Sequence, residues 1–202
     1  MNITEEQMKI LDIFIKICMD NASRVFSKTI KRGALIELVH TQMVDIGKAT
    51  EDMNNDSREM VGAMLGLMGE FPGKLLFMIP REDALVLQDL YLGSPPGSTK
   101  SLDEYTEGTI QEIGNILGSS IGNTLAADFG STILPTPPQV MCDFAGTIFQ
   151  TLILEEAMEH DELILTETKF KLSDTEIDCN FFLIPDINTL DDSMYKLEKM
   201  TI

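Results

Sequence analysis

The sequence predicts an α+β fold. Two copies of an αββ(β) half join in one continuous sheet of about six strands, and two long antiparallel helices cover one face. Three observations predict it. Each half reads helix, strand, variable segment, strand, turn, strand ending in Ile-Pro, helix, and Phe77-Met78-Ile79-Pro80 repeats as Phe182-Leu183-Ile184-Pro185. Residues Thr109–Asp128 have a strong helical period, with Ile110, Ile113, Leu117 and Ile121 in one apolar stripe. Residues Thr175–Ile184 alternate like a strand, Ile177, Cys179, Phe181 and Leu183 against Glu176, Asp178 and Asn180. A half with one amphipathic sheet needs a cover, and two halves sharing a sheet bury each other's edges. The expected organisation is a single domain of two pseudo-symmetric halves, 1–97 and 98–202, meeting at the Ser94–Ser98 linker.

In order, Thr4 with Glu5 and Glu6 opens a helix that runs to about Thr29, and Gly33 marks its end. Ala34–Val39 reads as a strand, Met43–Asp52 as a short helix or loop, Asn54–Ser57 as a turn, and Arg58–Met68 as a strand. Phe71-Pro72-Gly73 is a turn, Lys74–Ile79 a buried strand and Arg81–Leu92 a helix ending near Gly93. Ser101 through Glu104 gives a helix start with Glu at the third helical position, and Gly130 a stop. Ser131–Asp143 is strand-like but broken by three prolines; Phe144–Met158 fits helix or strand. Glu162–Leu172 is a strand, Ser173-Asp174 a hairpin turn, and Asn188–Met200 a terminal helix. Gln42-Met43-Val44 resembles Gln139-Val140-Met141 as a further echo of the repeat.

Composition narrows the function classes. The net charge is −18, with 33 acidic against 15 basic side chains. Nucleic acid and anionic membrane both require Lys and Arg to neutralise phosphate, so neither is an expected partner. The densest basic group is Lys28, Lys31 and Arg32. Cys18, Cys142 and Cys179 lie in apolar runs without CxxC spacing and read as buried, reduced thiols of a cytoplasmic protein. His40 and His160 have no metal-binding context, so no metal site is expected. The acidic start MNITEEQMK is unlike a signal peptide, and no uncharged apolar run is long enough to span a bilayer.

The long second helix has two further stripes. Gly114, Gly118 and Gly122 recur every fourth residue, a costly choice in a helix that points to close approach of another backbone, expected to be the first helix. Gly108, Glu112, Asn115 and Ser119, with Tyr105 before them, lie opposite the apolar stripe. By spacing alone Glu112 and Asn115 read as a solvated face. Ile116 beside them is odd there and suits the edge of a partner-binding surface.

EIGNIL, small residues and then NTLA resemble the second signature helix of the CheC family, the chemotaxis phosphatases related to CheX and to the flagellar switch protein FliY. The resemblance covers nearly the whole chain through the duplication. The family motif is an acidic residue or Ser, three residues, Glu, two residues, Asn. Glu112 and Asn115 match, while Gly108 departs at the first position. Aligning the helices puts Ile13 where Glu112 sits and Lys16 where Asn115 sits, so the resemblance implies one working site, with Ile13 a packing residue and Lys16 a surface charge.

The resemblance implies hydrolysis of the aspartyl phosphate of a CheY-type response regulator. Asn115 would orient the attacking water, Glu112 would dock the regulator, and Gly108, Ile116 and Ser119 would line the partner surface. No cofactor is implied on this chain; Mg²⁺ is expected on the regulator. An adaptor role is the alternative, binding a regulator, the flagellar switch or a CheD-type deamidase.

Overall fold

The structure, a computed structural model, describes residues 3–129, 132–172, 177, 179–190, 192, 194 and 195. Their elements, in order, are α1 (Glu5–Ile30), β1 (Ala34–Asp45), α2 (Ile46–Asn54), β2 (Glu59–Gly69), β3 (Gly73–Pro80), α3 (Arg81–Leu92), α4 (Glu104–Phe129), β4 (Ile133–Pro135), β5 (Gln139–Phe144), α5 (Ala145–Glu159), β6 (Glu162–Leu172) and β7 (Asn180–Pro185). Among the described residues the sheet has seven strands, one more than expected, because the proline-rich segment yields two short ones.

Strand order explains why the sheet is continuous. It runs β1-β6-β7-β3-β2, and β4 and β5 both pair with β2 at the far edge. The centre is the antiparallel pair β3 and β7, where Leu76 meets Phe182 and Phe77 meets Phe181. These are the two Ile-Pro strands of the repeat, so a pseudo-two-fold axis passes between those pairs. Outward from it β6 matches β2, and β1 matches β5. Each edge strand pairs with a strand from the other side of the Ser94–Ser98 loop, so the two repeats cannot separate without breaking the sheet.

Both faces of the sheet are covered, and strand alternation sorts the side chains. Leu75, Phe77 and Ile79 of β3 join the core beneath α1, α3 and α4. Leu76 and Met78 join a second core beneath α2 and α5. Ile177, Cys179, Phe181 and Leu183 all lie on the α1/α4 side, as their alternation predicts. Strand β7 itself starts only at Asn180. The Ser173-Asp174 turn and the Gly130 stop fall outside the described residues. So does much of the terminal helix, although Leu190 and Met194 are helical and buried.

Several expectations need correction. Strand β1 does not stop at Val39 but continues to Asp45. A bulge between Leu38 and His40 shifts the register, so Ala34, Ile36 and Leu38 face α1 before it and Met43 after it. The change of parity hides the strand's second half from a period-two reading. Asp45 then caps α2 by accepting from the Lys48 N–H at 2.7 Å. Counting back from the helix caps at Asp45 and Phe144, Gln42 stands against Met141, so the Gln42/Gln139 echo is out of register. Phe144–Met158 resolves as helix α5.

Asp103, not Ser101, starts α4: its carboxylate accepts from the N–H groups of Tyr105 and Thr106, both at 3.0 Å. Cys18 and Cys179 are buried, but Cys142 is exposed on β5, which among the described residues pairs with β2 alone. Burial of part of the Cys142 thiol and the nearby Glu107 charge raise its pKa above the usual thiol value, against a smaller opposing pull from Arg81.

The Ser94–Ser98 loop is tied down rather than loose. Asp89, 1 % exposed near the end of α3, accepts from the Ser98 N–H at 2.8 Å, the Thr99 N–H at 3.0 Å and the Thr99 hydroxyl at 2.7 Å. Burial alone would raise its pKa; the hydrogen bonds from Thr99, Ser98 and Gly97 outweigh that and hold it below the ordinary carboxylate value. A depressed folded-state pKa means the stabilisation is fully present above the unfolded value of about 3.9 and is lost as pH falls through the folded value. Asp89→Asn should therefore cost about 1–3 kcal/mol at pH 7 by leaving donors mismatched. In urea titrations the gap between variant and wild type should shrink as pH is lowered below about 4. A gap that stays constant would assign the effect to packing instead.

Candidate functional site

Helix α4 holds the candidate residues by its opposite face. Ile110, Ile113, Leu117 and Ile121 are fully buried, and Leu125 is 1 % exposed. Gln111 Nε2 donates to the Pro138 carbonyl at 3.0 Å, and the Thr106 hydroxyl donates to Gln88 Oε1 at 2.5 Å. These contacts fix both the axial rotation and the height of the helix.

With the buried face fixed, Gly108, Glu112 and Asn115 come out exposed on the outer face, and Ile116 and Ser119 half-buried beside them. Ile116 packs against the edge of the core, which explains an apolar residue so near the polar pair. Nothing lies within 4 Å of a Cβ built on Gly108. A side chain there would meet open solvent, so the missing acid or Ser at the family's first position has no steric cause.

The glycine stripe does not serve the first helix. A Cβ on Gly114 would stand 2.9 Å from Ala63 Cβ, one on Gly118 2.7 Å from Leu65 Cδ1, and one on Gly122 3.4 Å from Pro135 Cδ. The stripe lets α4 sink onto β2 and the proline-bearing strand beside it.

Helices α1 and α4 meet along a different line. Asn21 Nδ2 donates to the Thr124 hydroxyl at 3.1 Å, and that hydroxyl donates to the Ser120 carbonyl at 2.9 Å. A groove of about 680 Å³ runs from there between the helices. Asn115, Ser119 and Asn123 line it from α4, and Asn21, Arg24 and Lys28 from α1. Residues beyond Asn21 on α1 thus pass residues before Thr124 on α4, which makes the helices antiparallel. Asn115 opens into this groove, a feature that sequence reasoning missed. The basic cluster containing Lys28 was its only trace in the sequence.

Antiparallel packing sends Ile13 and Lys16 to the opposite end of the helix pair. Lys16 is exposed, as expected of a surface charge. Ile13 is 56 % exposed, so the expectation that it is a packing residue is wrong. The buried stripe of α1 is carried by Leu11, Phe14, Ile15, Cys18 and Ala22, and Ile13 falls outside it. Among the described residues no group of His, Cys, Asp or Glu is arranged to hold a metal ion, and no helix is long and apolar enough to cross a membrane.

Residues 108–142 match the CheC-like family, a span that begins at Gly108 and contains Glu112 and Asn115. The chain is 21 % identical over 193 residues to the CheY-P phosphatase CheC of Bacillus subtilis, covering 94 % of this chain and 92 % of that one. Thermotoga maritima FliY superposes with a TM-score of 0.79 at 17 % identity, over 99 % of this chain and 100 % of that one. The FliM middle domain of H. pylori does so with a TM-score of 0.69 at 10 % identity, over 96 % and 99 %. A chemotaxis protein CheX of Desulfovibrio desulfuricans gives 0.56 at 14 % identity, over 88 % and 99 %. The structural likenesses establish the fold, and together with the family match over residues 108–142 and the CheC relative along nearly the full length they support kinship with the CheC/CheX/FliY family.

Proposed function

We propose that this protein is a phosphatase that hydrolyses the aspartyl phosphate of a CheY-type response regulator in chemotaxis signalling. One observation carries the reading: Glu112 and Asn115 stand exposed, a turn apart, on the outer face of a helix whose other face is locked into the sheet. Their match to the family motif and the CheC relative support it.

The chemistry asks little of such a helper. Water attacks phosphorus in line, the phosphorus–oxygen bond to the aspartate breaks, and inorganic phosphate leaves. The regulator brings its own Mg²⁺ and Lys, so positioning dominates. The Asn115 carboxamide has both a donor and an acceptor and can hold a water towards phosphorus. Glu112, one turn earlier, pairs with the regulator's Lys and sets the register. The test is the decay of phosphorylated regulator with and without this protein; no acceleration would sink the reading.

Glu112→Ala should raise the half-saturating regulator concentration by up to about five-fold, most clearly at low salt, with little change in the maximal rate. A fall in the maximal rate alone would move Glu112 from docking to chemistry.

The second reading is a non-catalytic adaptor for a regulator or a flagellar-switch component. It is favoured by Gly108 at the motif's first position, by Ile13 and Lys16 on α1, and by the fold shared with the FliM middle domain. Binding of phosphorylated regulator without faster decay would select it.

A further inference from the structure

In a chain with 33 acidic side chains, the groove between α1 and α4 is an electrostatic exception. Among the described residues its lining includes Arg24 and Lys28 and no carboxylate. The two cations differ in freedom. Arg24 donates to the Asp20 carbonyl at 3.4 Å and to Asn21 Oδ1, so it is partly committed within its own helix. Lys28 is exposed, and its side chain makes no hydrogen bond or ion pair among the described residues. It lies about two turns on from Asn21, and Asn115 and Ile116 lie about two turns back from Thr124. The Asn21–Thr124 hydrogen bond fixes that register, so Lys28 and Asn115 line the same end of the groove.

We propose that Lys28, assisted by Arg24, is a docking cation for the anionic phosphorylated pocket of the regulator. This rests on the phosphatase reading above. An aspartyl phosphate with its neighbouring carboxylates is a dense negative charge, and a protein of net charge −18 repels it at long range. An approach led by Asn115 needs a local positive surface beside it, and this groove supplies one. Glu112 on the outer face then pairs with a cation while Lys28 pairs with the anion, so the interface is bipolar and has one orientation. The half of the chain that lacks the Glu/Asn pair thereby still contributes to the site at the other helix. An unremarkable role exists for Lys28, since a cation in the last turn of α1 favours the helix dipole. That role would appear in melting temperature, not in dependence on regulator concentration.

The experiment is steady-state dephosphorylation of a CheY-type regulator phosphorylated by a small phosphodonor, titrated at about 20 mM and about 500 mM salt. Lys28→Glu should raise the half-saturating concentration at least about ten-fold at low salt, with the maximal rate within about two-fold; high salt should narrow the difference. Lys28→Arg should behave like wild type. If Lys28→Glu leaves the titration unchanged while wild type remains active, the docking role is overturned and the phosphatase reading stands. A loss confined to the maximal rate, or equal at both salts, also overturns it. If wild type itself does not accelerate decay, the phosphatase reading falls. Direct binding of beryllofluoride-loaded regulator then decides the groove: weaker binding by Lys28→Glu keeps it, and equal binding removes it.

Discussion

Asn115→Ala should cut the rate of regulator dephosphorylation by about 10²-fold while the protein folds and melts as before. The expectation follows from where Asn115 sits. It is exposed, so truncation opens no cavity and stability should change by no more than about 0.5 kcal/mol. Its neighbours on the buried face keep α4 in place without it. The loss should fall on the maximal rate, because a water-positioning group acts in the transition state and contributes little to docking. Asn115→Asp is the sharper control. It keeps the shape but replaces the donor with a negative oxygen beside a phosphoryl anion, and it should be at least as inactive. Full activity in either variant, measured by the decay of phosphorylated regulator, would end the water-positioning role and strengthen the adaptor reading.

The position of this pair was legible because one helix period decides it. Once Ile110, Ile113, Leu117 and Ile121 are inside, Glu112 and Asn115 must be outside. The pairing of the two Ile-Pro strands was legible for a similar reason, since duplicated strands that each need a neighbour can meet across a two-fold axis. The groove was not legible. Its α1 side comes from residues about a hundred positions away, brought opposite Asn115 only by the antiparallel register set at Asn21 and Thr124. Local alternation also failed wherever tertiary pairing overrode it. The bulge after Leu38 cut β1 short in the sequence reading. Helix α5 was ambiguous because TIFQTLIL mixes β-branched and aromatic residues that suit a strand with an i, i+4 apolar spacing, Ile148 with Leu152 and Phe149 with Ile153, that suits a helix. Ile13 misled because an aliphatic residue was equated with core, although surfaces carry many of them.

Gly118→Val should destabilise the protein by about 3 kcal/mol, and Leu65→Ala in the same chain should return part of that loss. The glycine stripe shows a close approach in sequence but cannot say to what. In the structure the answer is β2: the Gly118 position meets Leu65 Cδ1 at 2.7 Å and Cδ2 at 3.0 Å, and Leu65 is itself buried. Intrinsic propensity argues weakly the other way, since replacing a helical Gly relieves up to about 1 kcal/mol. The packing term should win, because three added carbons find no free volume and α4 must lift off the sheet. Lifting α4 also moves Asn115, so phosphatase activity should fall along with stability, unlike in Asn115→Ala. Leu65→Ala alone costs about 2–5 kcal/mol by leaving a cavity, yet combined with Gly118→Val that cavity receives the new side chain. A double-mutant cycle by urea denaturation should therefore show about 1–3 kcal/mol of favourable coupling between the two positions. No coupling to Leu65, together with rescue by shortening a residue on α1, would restore the helix-on-helix reading of the stripe.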